Sequence, residues 1–158
     1  MGVELNKIFS ELRSKSVQQQ TNAGKTLHLL MIKHREYSED IYYKLIELFK
    51  SSEKHEIQGA LIALNKILKV IRDTPQIVHF VHRFLPFVFQ QLSNSDIDII
   101  EKSSDALGNL AQVGGTITTE TIQTQVDTAL AWLRQTEQTD FFGCKNCSFL
   151  LFLLYCSY

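Results

Sequence analysis

The sequence predicts an all-α fold of antiparallel helical hairpins stacked into an α-solenoid. Three observations carry that prediction. Apolar residues recur at helical spacing along nearly the whole chain, and no useful stretch alternates at period two. Only two prolines and seven glycines interrupt 158 residues, so long regular elements are expected. The third is a repeat of small-then-apolar pairs spaced about forty residues apart.

The elements follow in order. Leu5, Ile8, Phe9 and Leu12 form the single stripe of an amphipathic helix over about 4–14. A second helix is expected over 16–35. Ser38, followed by Glu39 and Asp40, reads as an N-cap with two acids at the positive end of a helix over 38–50. Ile41, Leu45, Leu48 and Phe49 are its stripe. The longest stripe, Ile57, Ala60, Leu61, Leu64, Leu68 and Ile71, predicts a helix over 53–71. Asp73-Thr74-Pro75 stops it and starts the next, over 76–92. Ser95 with Asp98 resembles a capping box for a helix over 95–113. Gly114-Gly115 supplies a C-terminal stop, and Thr118 or Thr119 a cap for a helix over 119–134. A last helix is expected over 141–155. Every connection is short, so neighbours should pack antiparallel.

The second helix of each pair carries a small residue and then an apolar anchor. Ala23 leads to Leu27, Ala60 to Leu64, and Ser103 or Ser104 to Leu107. The anchors are 37 and then 43 residues apart, and a further 43 reaches Leu150, with Cys147 at the small position. A two-helix unit of about forty residues is the signature of HEAT and armadillo repeats, in which no hairpin buries its apolar face alone. Small residues let successive hairpins approach closely. Residues 1–134 are therefore read as about three and a half HEAT-type hairpins. Residues 135–158 are set apart as an atypical apolar segment, a truncated or aberrant fourth repeat. A three-helix or four-helix bundle is the plainer alternative.

Composition removes several functions. The formal net charge is -1 and the sixteen Lys and Arg are scattered, so no basic stripe awaits nucleic acid and no polybasic patch awaits a membrane. Phe149–Cys156 is apolar on every side, but eight residues fall far short of the ~20 that span a bilayer. The N-terminus lacks a signal-peptide pattern, and Cys144, Cys147 and Cys156 crowd the last fifteen residues rather than framing disulfides. A reducing, cytoplasmic setting is expected.

No catalytic set can be assembled. The chain has no Gly-rich phosphate loop, kinase catalytic loop or Asp-Phe-Gly, and no nucleophile–base pair or carboxylate dyad. Cys144-x-x-Cys147 lacks the further ligands of a structural zinc site and reads as two small positions on a helix. His79 and His82 share a helix face with no third ligand and read as polar-face or interface residues. No metal or cofactor is expected. The helix over 76–92 is the segment with apolar surface to spare. Its Phe80, Phe84, Phe87 and Phe89 extend beyond one stripe and form a candidate interaction surface, unless flanking hairpins cover both faces.

One part of the chain resembles a known family. Ser104-Asp105-Ala106-Leu107-Gly108-Asn109-Leu110-Ala111, then Gly114-Gly115-Thr116 and Thr118, then Val126 and Ala129-Leu130-Ala131-Trp132-Leu133, resemble the N-terminal HEAT region of the target-of-rapamycin (TOR) kinases. The resemblance runs over about residues 4–134 and is most specific at the A-L-x-W-L end and the turn before it. After Gln138 the chain departs from the family, which has basic and polar residues where Phe149–Cys156 is apolar. The resemblance implies a non-catalytic scaffold arm in nutrient and growth signalling, with its kinase domain elsewhere. It also implies protein partners, complex-specific adaptors such as raptor, and recruitment to endomembranes within a larger complex. A free-standing HEAT adaptor for a peptide or protein is the competing reading.

Overall fold

A computed structural model describes residues 2–72 and 74–136, and every described element is helical. The helices are α1 (Gly2–Leu12), α2 (Val17–Lys33), α3 (Ser38–Phe49), α4 (Lys54–Ile71), α5 (Ile77–Leu92) and α6 (Ile97–Thr136). A short 3₁₀ turn, Arg35–Tyr37, leads into α3. The expected helices over 95–113 and 119–134 appear as the two halves of α6, broken at Gly115, where φ is 55° and ψ is −134°. Only glycine reaches that backbone conformation without steric cost. The Leu150 anchor, the three cysteines and the whole of 137–158 lie outside the described residues.

The helices pair as hairpins, α1 with α2, α3 with α4 and α5 with α6, and the second members α2, α4 and α6 pack side by side. One continuous core runs through all three hairpins. The all-α helical-repeat arrangement expected from the sequence is thus the observed one. Contacts between hairpins keep the period. Glu39 and Arg83, Lys54 and Asp98, and Asn65 and Asn109 each join the second hairpin to the third across a separation of 44 residues. One pair joins α3 to α5, and the other two join α4 to α6 at different heights. A bundle without a repeat has no reason to show one separation three times.

Helix ends show where local reading of the sequence erred. Ser38 is not an N-cap: it is the first residue of α3, and its hydroxyl donates to the Arg35 carbonyl of the 3₁₀ turn. The cap of α6 is Asp96 rather than Ser95, with its Oδ1 accepting from the amides of Asp98 (3.0 Å) and Ile99 (3.4 Å). A carboxylate there also meets the positive end of the helix dipole. Ser16 caps α2 as a hydroxyl should, accepting from the Gln19 amide. Thr74 closes α4 by donating its hydroxyl to the Ile71 carbonyl.

Two glycines lie in the α1/α2/α4 region, and their surroundings differ. Gly59 of α4 faces the end of α1 so closely that a Cβ would overlap the Leu12 carbonyl oxygen. Gly24 of α2 faces α4 with more room. A Cβ there would rest 3.4 Å from Ile62 Cγ2 and 3.5 Å from Lys66 Cγ, ordinary contact distances. Helix-interior glycine costs about 0.5–1 kcal/mol relative to alanine. Gly24→Ala is therefore expected to raise stability by up to about that amount, read as a higher urea midpoint with an unchanged slope.

Candidate interaction surface

The α5 phenylalanines were the sequence's candidate surface, and α5 places them unequally. Phe80 and Phe84 are fully buried. They lie one turn apart with ring centroids 4.5 Å apart, and Tyr42 of α3 meets both edge-on at 5.1 and 5.8 Å. Phe49 extends the cluster, tilted against Phe84 and stacked on Phe87 at 5.9 Å. Phe80 and Phe84 are therefore core residues between α3 and α5, not surface. Offset and edge-on aromatic pairs of this kind add about 0.5–1.5 kcal/mol beyond area burial. Phe87 and Phe89 are half-buried at the rim of that core. The exposed positions of α5 are Val78, His79, His82, Pro86 and Gln90, with His79 and His82 on the solvent side as the sequence suggested.

Polar groups tie the aromatic cluster down. Arg83 Nη1 donates to Glu39 Oε2 at 2.7 Å while its guanidinium lies 5.7 Å from the centre of the Tyr42 ring. Burial, with the Glu39 charge second, pushes the Tyr42 phenol above its ordinary pKa, and its buried hydroxyl oxygen has no hydrogen-bond partner among the described residues. Tyr42 thus stays neutral and serves packing.

Along the inner helices α2, α4 and α6 the hairpins are joined by polar contacts. Gln20 is the one that the sequence gives no sign of, since it stands in a run of three glutamines, Gln18-Gln19-Gln20. It is fully buried, and its Nε2 donates to the Ser14 carbonyl (2.7 Å) and the His55 carbonyl (2.6 Å), joining the α1–α2 loop to the first turn of α4. His28 Nδ1 meets the Lys66 carbonyl at 2.9 Å. Asn109 Nδ2 donates to Asn65 Oδ1 at 3.0 Å.

At the starts of α4 and α6, Lys54 Nζ sits 2.6 Å from Asp96 and 3.0 Å from Asp98. The hydrogen bond from Lys54 holds the Asp96 carboxyl below its ordinary range, and Asp96, then Asp98, raises the Lys54 ammonium. The two shifts bound one pH window. The Asp96 contribution is present above the ordinary aspartate pKa and is lost as pH falls through its lowered value. That of Lys54 is present below the ordinary lysine pKa and is lost as pH rises through its raised value. Wild type and Lys54→Met are expected to differ slightly in urea midpoint at neutral pH and to converge at both extremes. Lys54 and Asp98 are exposed and Asp96 is half-buried, so added salt should shrink the neutral difference.

The anchors Leu27, Leu64 and Leu107 are all buried. Among the described residues, the apolar side chains left most exposed are Ile97, Tyr43, Leu29, Ile32, Val17 and Val78. Among the described residues no group of three or more His, Cys, Asp or Glu is placed to hold a metal ion. No described helix is long and apolar enough to cross a membrane.

Fold and surface define the class: a stack of helical hairpins joined edge to edge, with a period near forty. No protein-family model matches the chain, and no solved structure does. Curated relatives do match. The chain is 23% identical over 141 residues to the serine/threonine-protein kinase TOR2 of Saccharomyces cerevisiae, a match covering 84% of the chain and 6% of that protein. It is 28% identical over 102 residues to the tor1 kinase of Schizosaccharomyces pombe, covering 65% of the chain and 4% of the kinase. The TOR kinase of Arabidopsis thaliana is 28% identical over 99 residues, 62% of the chain. The chain is therefore related to one short region of the TOR serine/threonine kinases and spans only 4–6% of the length of these relatives.

Proposed function

We propose that the chain is a non-catalytic protein-interaction scaffold, equivalent to the N-terminal HEAT arm of a TOR-type kinase. The observation that carries this reading is the match to TOR kinases across 84% of a chain whose described residues are all helical hairpins. A stacked-hairpin surface recognises by shape and by its accessible apolar residues, with no reacting group required. The partners on this reading are TOR-complex adaptors of the raptor type, met in the cytoplasm, and the apolar contacts come from two sides of α5: Phe89 with Val78 on one, and a patch at Phe87, beside Phe49 of α3, on the other. Phe80 and Phe84 support that patch from the core.

The experiment is titration of purified chain with a purified raptor-type adaptor, read by calorimetry. Saturable one-to-one binding is expected, weakened at least tenfold by Phe87→Ser with Phe89→Ser. Helical circular dichroism should be retained. Absence of binding to the adaptor, or phosphate transfer from ATP by the chain alone, would overturn the proposal.

A further inference from the structure

Repeat-equivalent positions on the inner helices α2 and α4 build one accessible strip. Lys25, Leu29 and Ile32 follow one another at i, i+4 and i+7, so they share a face of α2. Moving on by 37 residues, the spacing of the first two anchors, gives Ile62, Lys66 and Lys69 on α4. Leu29 and Ile32 keep 56% and 53% of their surface exposed, which is unusual for two large aliphatics one turn apart. Lys25 and Lys69 are exposed, and Ile62 and Lys66 are half-buried.

The two rows lie side by side. Gln20 bonds the His55 carbonyl, Gly24 faces Ile62 and Lys66, and His28 bonds the Lys66 carbonyl. The two helices therefore advance together in one direction. A Cβ on Gly24 would sit 3.5 Å from Lys66 Cγ, so the Lys66 stem lies against α2 at the turn that carries Lys25. Lysine stems are themselves apolar, and the aliphatic surface continues beneath the ammonium groups.

The strip is also basic. No acidic residue occurs in α2, and α4 has only Glu56, more than a turn before Ile62. Among the described residues no carboxylate forms an ion pair with Lys25, Lys66 or Lys69. Lysines that are scattered along the sequence are thus gathered by the repeat onto one face. The next step of the register, 43 residues on, gives Asp105, Asn109 and Gln112 on α6. All three are exposed, and neither a cation nor an aliphatic is among them, so the strip ends at α6.

Large aliphatics set between unpaired cations suit a ligand that brings apolar side chains and carboxylates together. A bare polyanion would have no use for Leu29 and Ile32. Nucleic acid or an anionic membrane would extend over α6, where the exposed Glu101 and Asp105 repel it. We propose that the strip formed by Lys25, Leu29, Ile32, Ile62, Lys66 and Lys69 docks an acidic amphipathic segment of a partner protein. It lies on other helices than the α5 surface and does not depend on the adaptor reading.

The probe is a fluorescein-labelled helical peptide of about four turns, with leucine along one face and glutamate on the rest. It is titrated with the full chain and followed by fluorescence anisotropy. Saturable binding is expected, weakening as salt rises. Lys25→Glu with Lys69→Glu should weaken it at least about tenfold, and Leu29→Ser with Ile32→Ser by a similar factor. All four side chains are exposed, so helical circular dichroism should be retained. A peptide with lysine in place of glutamate should bind the charge-reversed chain better than it binds wild type. Phe87→Ser with Phe89→Ser should leave peptide binding unchanged, which separates this face from α5. No saturable binding, or undiminished binding after Leu29→Ser with Ile32→Ser, would overturn the proposal. So would equal or tighter binding of a single-stranded oligonucleotide or of phosphatidylserine vesicles, since either would make the strip a general polyanion surface.

Discussion

Gly59→Ala should be among the most damaging single-atom changes this chain can suffer. In an open helix the same substitution helps, because glycine costs the helix up to about 1 kcal/mol. Here the new methyl would enter the Leu12 carbonyl oxygen and come within 3.0 Å of the Leu12 carbonyl carbon, with Gln20 Nε2 3.5 Å away. Backbone cannot rotate aside as a flexible side chain can. To admit the methyl, α4 must move off the end of α1, and the motion would stretch the bonds from Gln20 to the Ser14 and His55 carbonyls. Overpacking typically costs about 1–3 kcal/mol and occasionally more. A clash with main chain, coupled to a buried hydrogen-bonded amide, belongs at the upper end. Against a total stability of roughly 5–15 kcal/mol that is a large fraction. Chemical denaturation is expected to show a midpoint well below wild type, while Gly24→Ala, in the same three-helix region, moves the other way. Matching effects at the two glycines would mean that the α1–α4 approach is looser than the structure shows.

That contrast also shows what could be read in the sequence. The helices up to residue 134 and their pairing were legible because they depend on apolar periodicity, a property each helix carries by itself. The period was legible because equivalent residues such as Leu27, Leu64 and Leu107 repeat a local pattern of small residue then leucine. What could not be read depends on a neighbour far along the chain. Gln20 looks like its two neighbouring glutamines until the His55 carbonyl, 35 residues on, arrives beside it. Gly59 looks like a weak point in a helix until the Leu12 carbonyl fills the space its missing Cβ leaves. Phe80 and Phe84 looked like surplus because α5 is apolar over more than one stripe. Tyr42 and Phe49 of α3, more than thirty residues earlier, meet three of the four rings and help to bury two of them, Phe80 and Phe84. Caps failed for a different reason: Ser95 and Asp96 are adjacent and both suit the position, and one residue of register decides between them. Which side of α5 stays accessible was likewise not legible, because it depends on how α3 packs against it.

The anchor leucines provide the other large effect. Leu64 is fully buried and Leu107 nearly so. Leu→Ala at such a site removes buried methyl groups and leaves a cavity, at a cost of roughly 2–5 kcal/mol. The cost approaches the upper end when the surroundings cannot collapse. Leu64 lies on α4, which packs against α2 on one side and α6 on the other, so relaxation toward one hairpin pulls away from the next. Ile62 is the internal control. It is half-buried on the same helix, and its Cγ2 reaches toward Gly24, where partial exposure lets solvent and the Lys66 side chain fill the vacancy. Urea unfolding of Leu64→Ala, Leu107→Ala and Ile62→Ala should show the two anchors losing more than Ile62. The melting temperature should fall by several degrees or more for each anchor. Equal losses at Ile62 and Leu64 would mean that the phase of α4 is wrong. The register that aligns Leu27, Leu64 and Leu107 would then fail with it.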